Sequence, residues 1–110
     1  MKEILYYRTK DNKCPYEEWF NTLDIQVQTR ILGRLERLIS GHYGETRKLS
    51  NSELSELKFK FGKGYRIYYK DLDNVIILFL SAGDKSGQKS DIKTAEKYYR
   101  DYIERLKENG

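Results

Sequence analysis

Six consecutive residues, Val75–Leu80 (VIILFL), carry no polar side chain. A strand with one wet face would alternate, and this one does not. The segment therefore predicts a strand apolar on both faces, internal to a sheet and covered on each side. With 110 residues the chain has material for one core and one domain. The rest of the sequence must supply both covers and the neighbouring strands.

Glu3–Arg8 (EILYYR) reads as a short strand, and Lys10–Lys13 as a turn. Pro15 suits a first helical position, and Glu17 and Glu18 favour a helix N-terminus. Tyr16, Trp19, Phe20 and Leu23 recur at helical spacing. Asp24 can cap a second helix whose apolar stripe is Ile31, Leu32, Leu35, Leu38 and Ile39, with Gly41 ending it. These helices predict an αα-hairpin. Residues 42–52 read as a polar loop containing the lone histidine, His42. Leu54–Phe61 alternates, with Leu57, Phe59 and Phe61 on one face and Glu56, Lys58 and Lys60 on the other. Gly62–Gly64 is a turn, Tyr65–Lys70 a strand, and Asp71–Asn74 another turn before VIILFL. Short turns between three strands predict an antiparallel meander. Ser81–Gly87 reads as a loop. Gln88 to about Glu108 reads as a helix with Ile92, Ala95, Tyr99, Ile103 and Leu106 on one side. The order is β–α–α–β–β–β–α, an α+β domain.

The net charge is +4, and its placement matters more than its size. Residues 47–70 carry seven basic side chains against two acidic ones, while the flanking segments are balanced or slightly acidic. A local basic excess of this kind suits a polyanion partner. One cysteine, Cys14, excludes an internal disulfide, and no Cys/His set exists for zinc. No apolar run approaches the roughly 20 residues of a membrane span, and no signal peptide is visible. A cytoplasmic protein without cofactor, metal or membrane attachment is expected. The ten tyrosines offer core volume or faces on which bases stack.

Two blocks carry a family resemblance. They are ELKFKFGKGYRIYY (Glu56–Tyr69) and SAGDKSGQKSDIKTA (Ser81–Ala95). Together they resemble the RelE/ParE toxin superfamily, most closely the HigB-like group of addiction-module killer proteins, and the likeness runs the whole chain. Two positions depart from that pattern. Lys63 stands where proline is common in the hairpin turn. Asp91 stands near where RelE-type enzymes place a tyrosine. The resemblance implies a RelE-like fold and the toxin of a type II toxin–antitoxin pair. It implies a ribosome-dependent endoribonuclease that cuts messenger RNA on the ribosome and so inhibits translation. It further implies a cognate antitoxin, often a helix-turn-helix protein. ParE-like toxins on this fold poison DNA gyrase instead, and an inactive antitoxin-binding homologue is a third reading.

RNA can be cut without metal when the ribose 2′-hydroxyl attacks the adjacent phosphorus. The reaction needs a base, an acid for the leaving 5′-oxygen, and cations for the charge on phosphate. This chain is poor in histidine and rich in lysine and arginine, so positioning and charge stabilisation must dominate. Arg66, in mid-strand, has the planar fork that suits two phosphate oxygens; the resemblance puts the family's key arginine there. A structural salt bridge with Glu56 is the alternative role. Lys58 and Lys60 share a strand face. The resemblance gives Lys85 a catalytic cation's position and leaves Asp91 as a candidate proton acceptor; Asp91 also suits a helix N-terminus. Arg47, Lys48, Lys63 and Lys89 are candidate RNA contacts. Tyr68, on the Arg66 face, either stacks on a base or packs in the core.

Overall fold

The computed structural model describes residues 1–110. The elements are β1 (Glu3–Tyr6), α1 (Pro15–Phe20), α2 (Ile25–Ile39), β2 (Thr46–Lys48), β3 (Ser55–Lys58), β4 (Arg66–Asp71), β5 (Ile76–Gly83), a 3₁₀ turn (Lys85–Gly87) and α3 (Gln88–Asn109). They form an α+β domain around one mixed sheet of order β1-β5-β4-β3-β2. No helix is long and apolar enough to cross a membrane.

The apolar run occupies the interior, as its pattern requires. β5 lies between β1, which it meets in parallel, and β4, which it meets antiparallel. Ile77 and Phe79 enter a core shared with α1 and α2, while Leu78 and Leu80 enter a second core under α3. The helices begin where their capping chemistry directs. Pro15 opens α1, and the Asp24 carboxylate accepts from the Val27 N–H at 3.1 Å to cap α2. Gly41, at φ 98°, turns the chain out of α2. Ile31, Leu35 and Leu38 form its buried stripe. Leu32 is 50% exposed, because it lies a quarter turn round the helix from that stripe. Leu106, near the end of α3, is likewise exposed, beside Leu5 and Tyr6 of β1.

The segment expected as a polar loop holds an edge strand. β2 pairs antiparallel with β3, and all three of its side chains face solvent. The Arg34 guanidinium holds this region to α2, donating to the carbonyls of Tyr43 at 3.0 Å, Glu45 at 2.6 Å and Lys58 at 2.7 Å. The expected strand Leu54–Phe61 is also shorter, ending at Lys58. Beyond it the chain enters the Gly62–Gly64 turn, whose glycines sit at φ 56° and 73°. At the other end of the meander, β5 continues through Ser81 to Gly83, into the segment expected as loop.

One irregularity decides which side chains face α3. The pairing of β4 with β5 shifts between Tyr68 and Tyr69, so that Tyr69 opposes Phe79 while Tyr68 opposes Ser81. Leu80 is the extra residue of this bulge. Without it, alternation would send Ser81 toward the helical hairpin. With it, Ser81 and Gly83 lie opposite Tyr68 and Arg66 on the α3 face, and Ala82 packs on the hairpin core.

Candidate functional site

A polar row crosses four strands on the α3 face. Arg47 opposes Glu56, Glu56 opposes Tyr68, and Tyr68 opposes Ser81. The next row toward the Gly62–Gly64 turn runs Lys58, Arg66, Gly83. Glu56 and Tyr68 are fully buried, and Ser81 and Arg66 nearly so. Glu56 is the hub. Arg47 Nη2 lies 3.0 Å from its Oε1, Gln88 Nε2 donates to its Oε2 at 3.1 Å, and Arg66 Nε stands 3.7 Å from Oε2. Two guanidiniums and an amide thus offset one buried carboxylate. The salt bridge with Glu56 foreseen as Arg66's alternative role is therefore present. Arg66 is also deeply set, with its side chain 10% exposed.

The buried guanidinium is not used up by the fold. Arg66 Nη1 donates to the Gly64 carbonyl at 2.8 Å and Nε is enclosed without a hydrogen-bond partner, but no hydrogen bond engages Nη2. Lys58, Lys60, Lys63, Arg66 and Lys85 line an adjoining cleft of about 490 Å³, with Phe59, Gly62 and Gly64 completing the wall. No carboxylate lines it. The turn brings the walls together. A side chain at Gly64 would begin 3.4 Å from Lys85 Cβ and 3.5 Å from Arg66 Nη1, and the Lys85 N–H donates to the Lys63 carbonyl at 3.4 Å. The turn thus forms with Lys63 in place of proline. Glu45, from outside the lining, approaches Lys58 at 3.7 Å and Lys60 at 3.5 Å. These exposed pairs hold little energy and yield readily to a stronger anion.

The fold gathers four of the five catalytic candidates, Arg66, Lys58, Lys60 and Lys85, and adds Lys63. Asp91 stands apart. It lines a neighbouring cleft with Asp84, Trp19, Asp24 and Lys63, the one cation that borders both clefts, and makes no ion pair with the cations. Its carboxylate lies so close over Gly83 that a Cβ there would fall 2.0 Å from Oδ2. Burial, with Asp84 adding, raises its pKa above the usual carboxylate value. The resemblance left Asp91 as a candidate proton acceptor because it stands near the family's tyrosine position, but Asp91 lines the neighbouring cleft and not the one that Arg66 lines.

The RNA-contact candidates divide. Lys63 lines the cleft, and Arg47 borders the row through Glu56. Strand alternation puts Lys48 on the opposite face from Arg47, where its ammonium donates to the Ser52 carbonyl. Lys89 is exposed and lines no part of the cleft. Tyr68 cannot stack on a base, because its ring is enclosed in the core under α3. Burial, then Glu56 and Asp91, pushes its hydroxyl pKa well up, so it stays a neutral phenol. Gln88 and Ser81 had not been singled out. Gln88 was masked by its basic neighbour, and the bulge that turns Ser81 inward leaves no mark in residue type. No group of three or more His, Cys, Asp or Glu side chains is placed to hold a metal ion.

No protein-family model matches the chain. An uncharacterized protein of Haemophilus influenzae (strain ATCC 51907 / DSM 11121 / KW20 / Rd) is 34% identical over 82 residues, covering 74% of this chain and 82% of that protein. The chain belongs to the family of that protein. Its identity spans most of both chains, so the family shares more than a local motif.

Proposed function

We propose that this protein is a RelE-like toxin of a type II toxin–antitoxin pair, a metal-independent endoribonuclease that cuts messenger RNA on the ribosome. The observation that carries the reading is the cleft itself, with five cations, no carboxylate in its lining, and a guanidinium whose Nη2 no hydrogen bond engages. The resemblance of Glu56–Tyr69 and Ser81–Ala95 to the RelE/ParE superfamily points the same way. So does an order in which a helical hairpin precedes the meander and a helix closes the chain. The RelE-like topology then gains one edge strand, β2.

In this reading the scissile phosphate enters the cleft. The 2′-hydroxyl passes its proton to a water molecule as its oxygen bonds to phosphorus, the bond to the 5′-oxygen breaks, and a 2′,3′-cyclic phosphate forms. Arg66 and Lys85 hold the non-bridging oxygens where charge grows, and a lysine ammonium protonates the leaving 5′-oxygen. Every ionisable side chain lining the cleft is a cation, so orientation and charge stabilisation are its contribution. A cognate antitoxin restrains this activity in the cell.

Pulse labelling after induction, without antitoxin, tests the proposal. Protein synthesis should stop before DNA synthesis. Early arrest of DNA synthesis with double-strand breaks would replace this reading with gyrase poisoning.

A further inference from the structure

The ribonuclease reading leaves Glu56 unexplained. A carboxylate with no exposure is costly to bury unless paired and hydrogen-bonded. If it served only to neutralise Arg66, a two-pronged pair would be the favoured arrangement. The observed arrangement differs. Both Glu56 oxygens are engaged from outside its strand, Oε1 by Arg47 of the edge strand and Oε2 by Gln88 at the first position of α3. Arg66 Nε is left 3.7 Å away, close enough for attraction and too far for a hydrogen bond. The Gly64 carbonyl fixes another corner of the same guanidinium.

We propose that Glu56 is a positioning residue for RNA cleavage, aiming the Arg66 guanidinium into the cationic cleft while Arg47 and Gln88 hold the carboxylate back from Arg66's own donors. The inference rests on the ribonuclease reading and deepens it. The device combines two requirements that usually conflict. The guanidinium is oriented before substrate arrives, with Nε buried beside Glu56 and Nη1 on the Gly64 carbonyl, and its Nη2, which makes no hydrogen bond, is left for a phosphate oxygen. The edge strand and the helix start act on the reaction through Glu56 without touching RNA.

Single-turnover cleavage of messenger RNA on programmed ribosomes tests this, together with NMR of the Arg66 Nε–Hε group. Glu56→Gln keeps the shape and removes the charge. Its kcat should fall on the order of 10- to 100-fold with KM nearly unchanged, and the Arg66 Nε–Hε signal should show greater mobility. Glu56→Asp should recover part of the rate. Folded Glu56→Gln protein with wild-type kcat and an unchanged Arg66 signal would overturn the inference and leave the ribonuclease reading standing. A wild-type protein that leaves messenger RNA intact on ribosomes would overturn the ribonuclease reading itself. If Glu56→Gln does not fold, Gln88→Met decides, since it removes only the amide that donates to the Glu56 carboxylate. Lower kcat at constant KM supports positioning, and unchanged kcat overturns it.

Discussion

The two faces of the sheet are made by the same strands and do opposite things. On the hairpin side, Leu57, Ile67, Tyr69, Ile77 and Phe79 close onto Ile31, Leu35 and Leu38 in an apolar core. On the α3 side an apolar cluster of Leu54, Tyr68, Leu78, Leu80 and Ala95 covers only part of the sheet. Beyond it come Glu56, Arg66 and Ser81, then open cationic cleft. Strand alternation supplies both faces at once: Leu57 and Ile67 face the hairpin, and their neighbours Glu56, Lys58 and Arg66 face the other way. The hairpin face is a fully packed support. The α3 face is left partly polar, with buried Nε, Oη and Oγ atoms of Arg66, Tyr68 and Ser81 lacking hydrogen-bond partners, against the Tyr16 hydroxyl alone on the hairpin side. Polar groups left unsatisfied at burial weaken a fold and are concentrated where ligands bind.

Substitutions on the two faces should therefore separate activity from stability. The largest effect belongs to Arg66→Lys. It keeps a charge beside Glu56 but loses the planar fork, so RNA cleavage should fall about 100- to 1,000-fold, about 3 to 4 kcal/mol, with little change in the thermal midpoint. Arg66→Ala is a poorer probe than its strand position suggests. It would leave the buried carboxylate with Arg47 as its one cation and the Gln88 amide beside it, so stability would fall along with activity. On the hairpin face the outcome should reverse. Leu38→Ala should destabilise the fold by about 3 kcal/mol, read by urea unfolding, while the folded fraction cleaves at the wild-type rate. A Leu38 variant that loses cleavage while folded, or an Arg66→Lys protein that loses its fold, would break the division of labour.

Two smaller effects sharpen it. Single-stranded RNA binding by the cleft should weaken with salt at a slope of about −0.7 per phosphate engaged, on the order of −2 to −3 overall; binding indifferent to salt would deny the cations their role. The smallest effect is at Asp91. A carboxyl whose folded pKa is raised weakens the fold as pH climbs through that value, and contributes nothing below its usual 3.8, where both states are protonated. Asp91→Asn should thus raise the thermal midpoint slightly near neutral pH, by well under about 1 kcal/mol because the group is partly exposed, and not at all in strong acid. A gain that persists there would show that charge is not the cause.

Much of the hairpin face was legible in the sequence, and less of the α3 face. VIILFL named the strand that lies inside the sheet, and the Asp24 cap with the Ile31–Leu35–Leu38 spacing named α2. The basic excess in residues 47–70 marked the cleft, because three of its lysines and Arg66 come from that stretch. Four features were not readable. β2 carries no apolar pattern because an edge strand with three exposed side chains needs none. The parallel pairing of β1 with β5 joins segments far apart in sequence. The bulge at Leu80 decides the direction of Ser81 and Gly83 by register, not by residue type. The depth of Arg66 depends on neighbours it acquires only in three dimensions, Gln88 from α3 and the Gly64 carbonyl beneath its guanidinium.

The central claim is that the cationic cleft around Arg66 cuts translated RNA. Mapping of RNA ends in cells induced for the wild-type protein, with Arg66→Lys at equal abundance as the control, tests it most directly. New ends should appear inside translated messages with the wild type and be nearly absent with Arg66→Lys. Equal cutting by both proteins, or growth arrest by the wild type with no new ends, would contradict it.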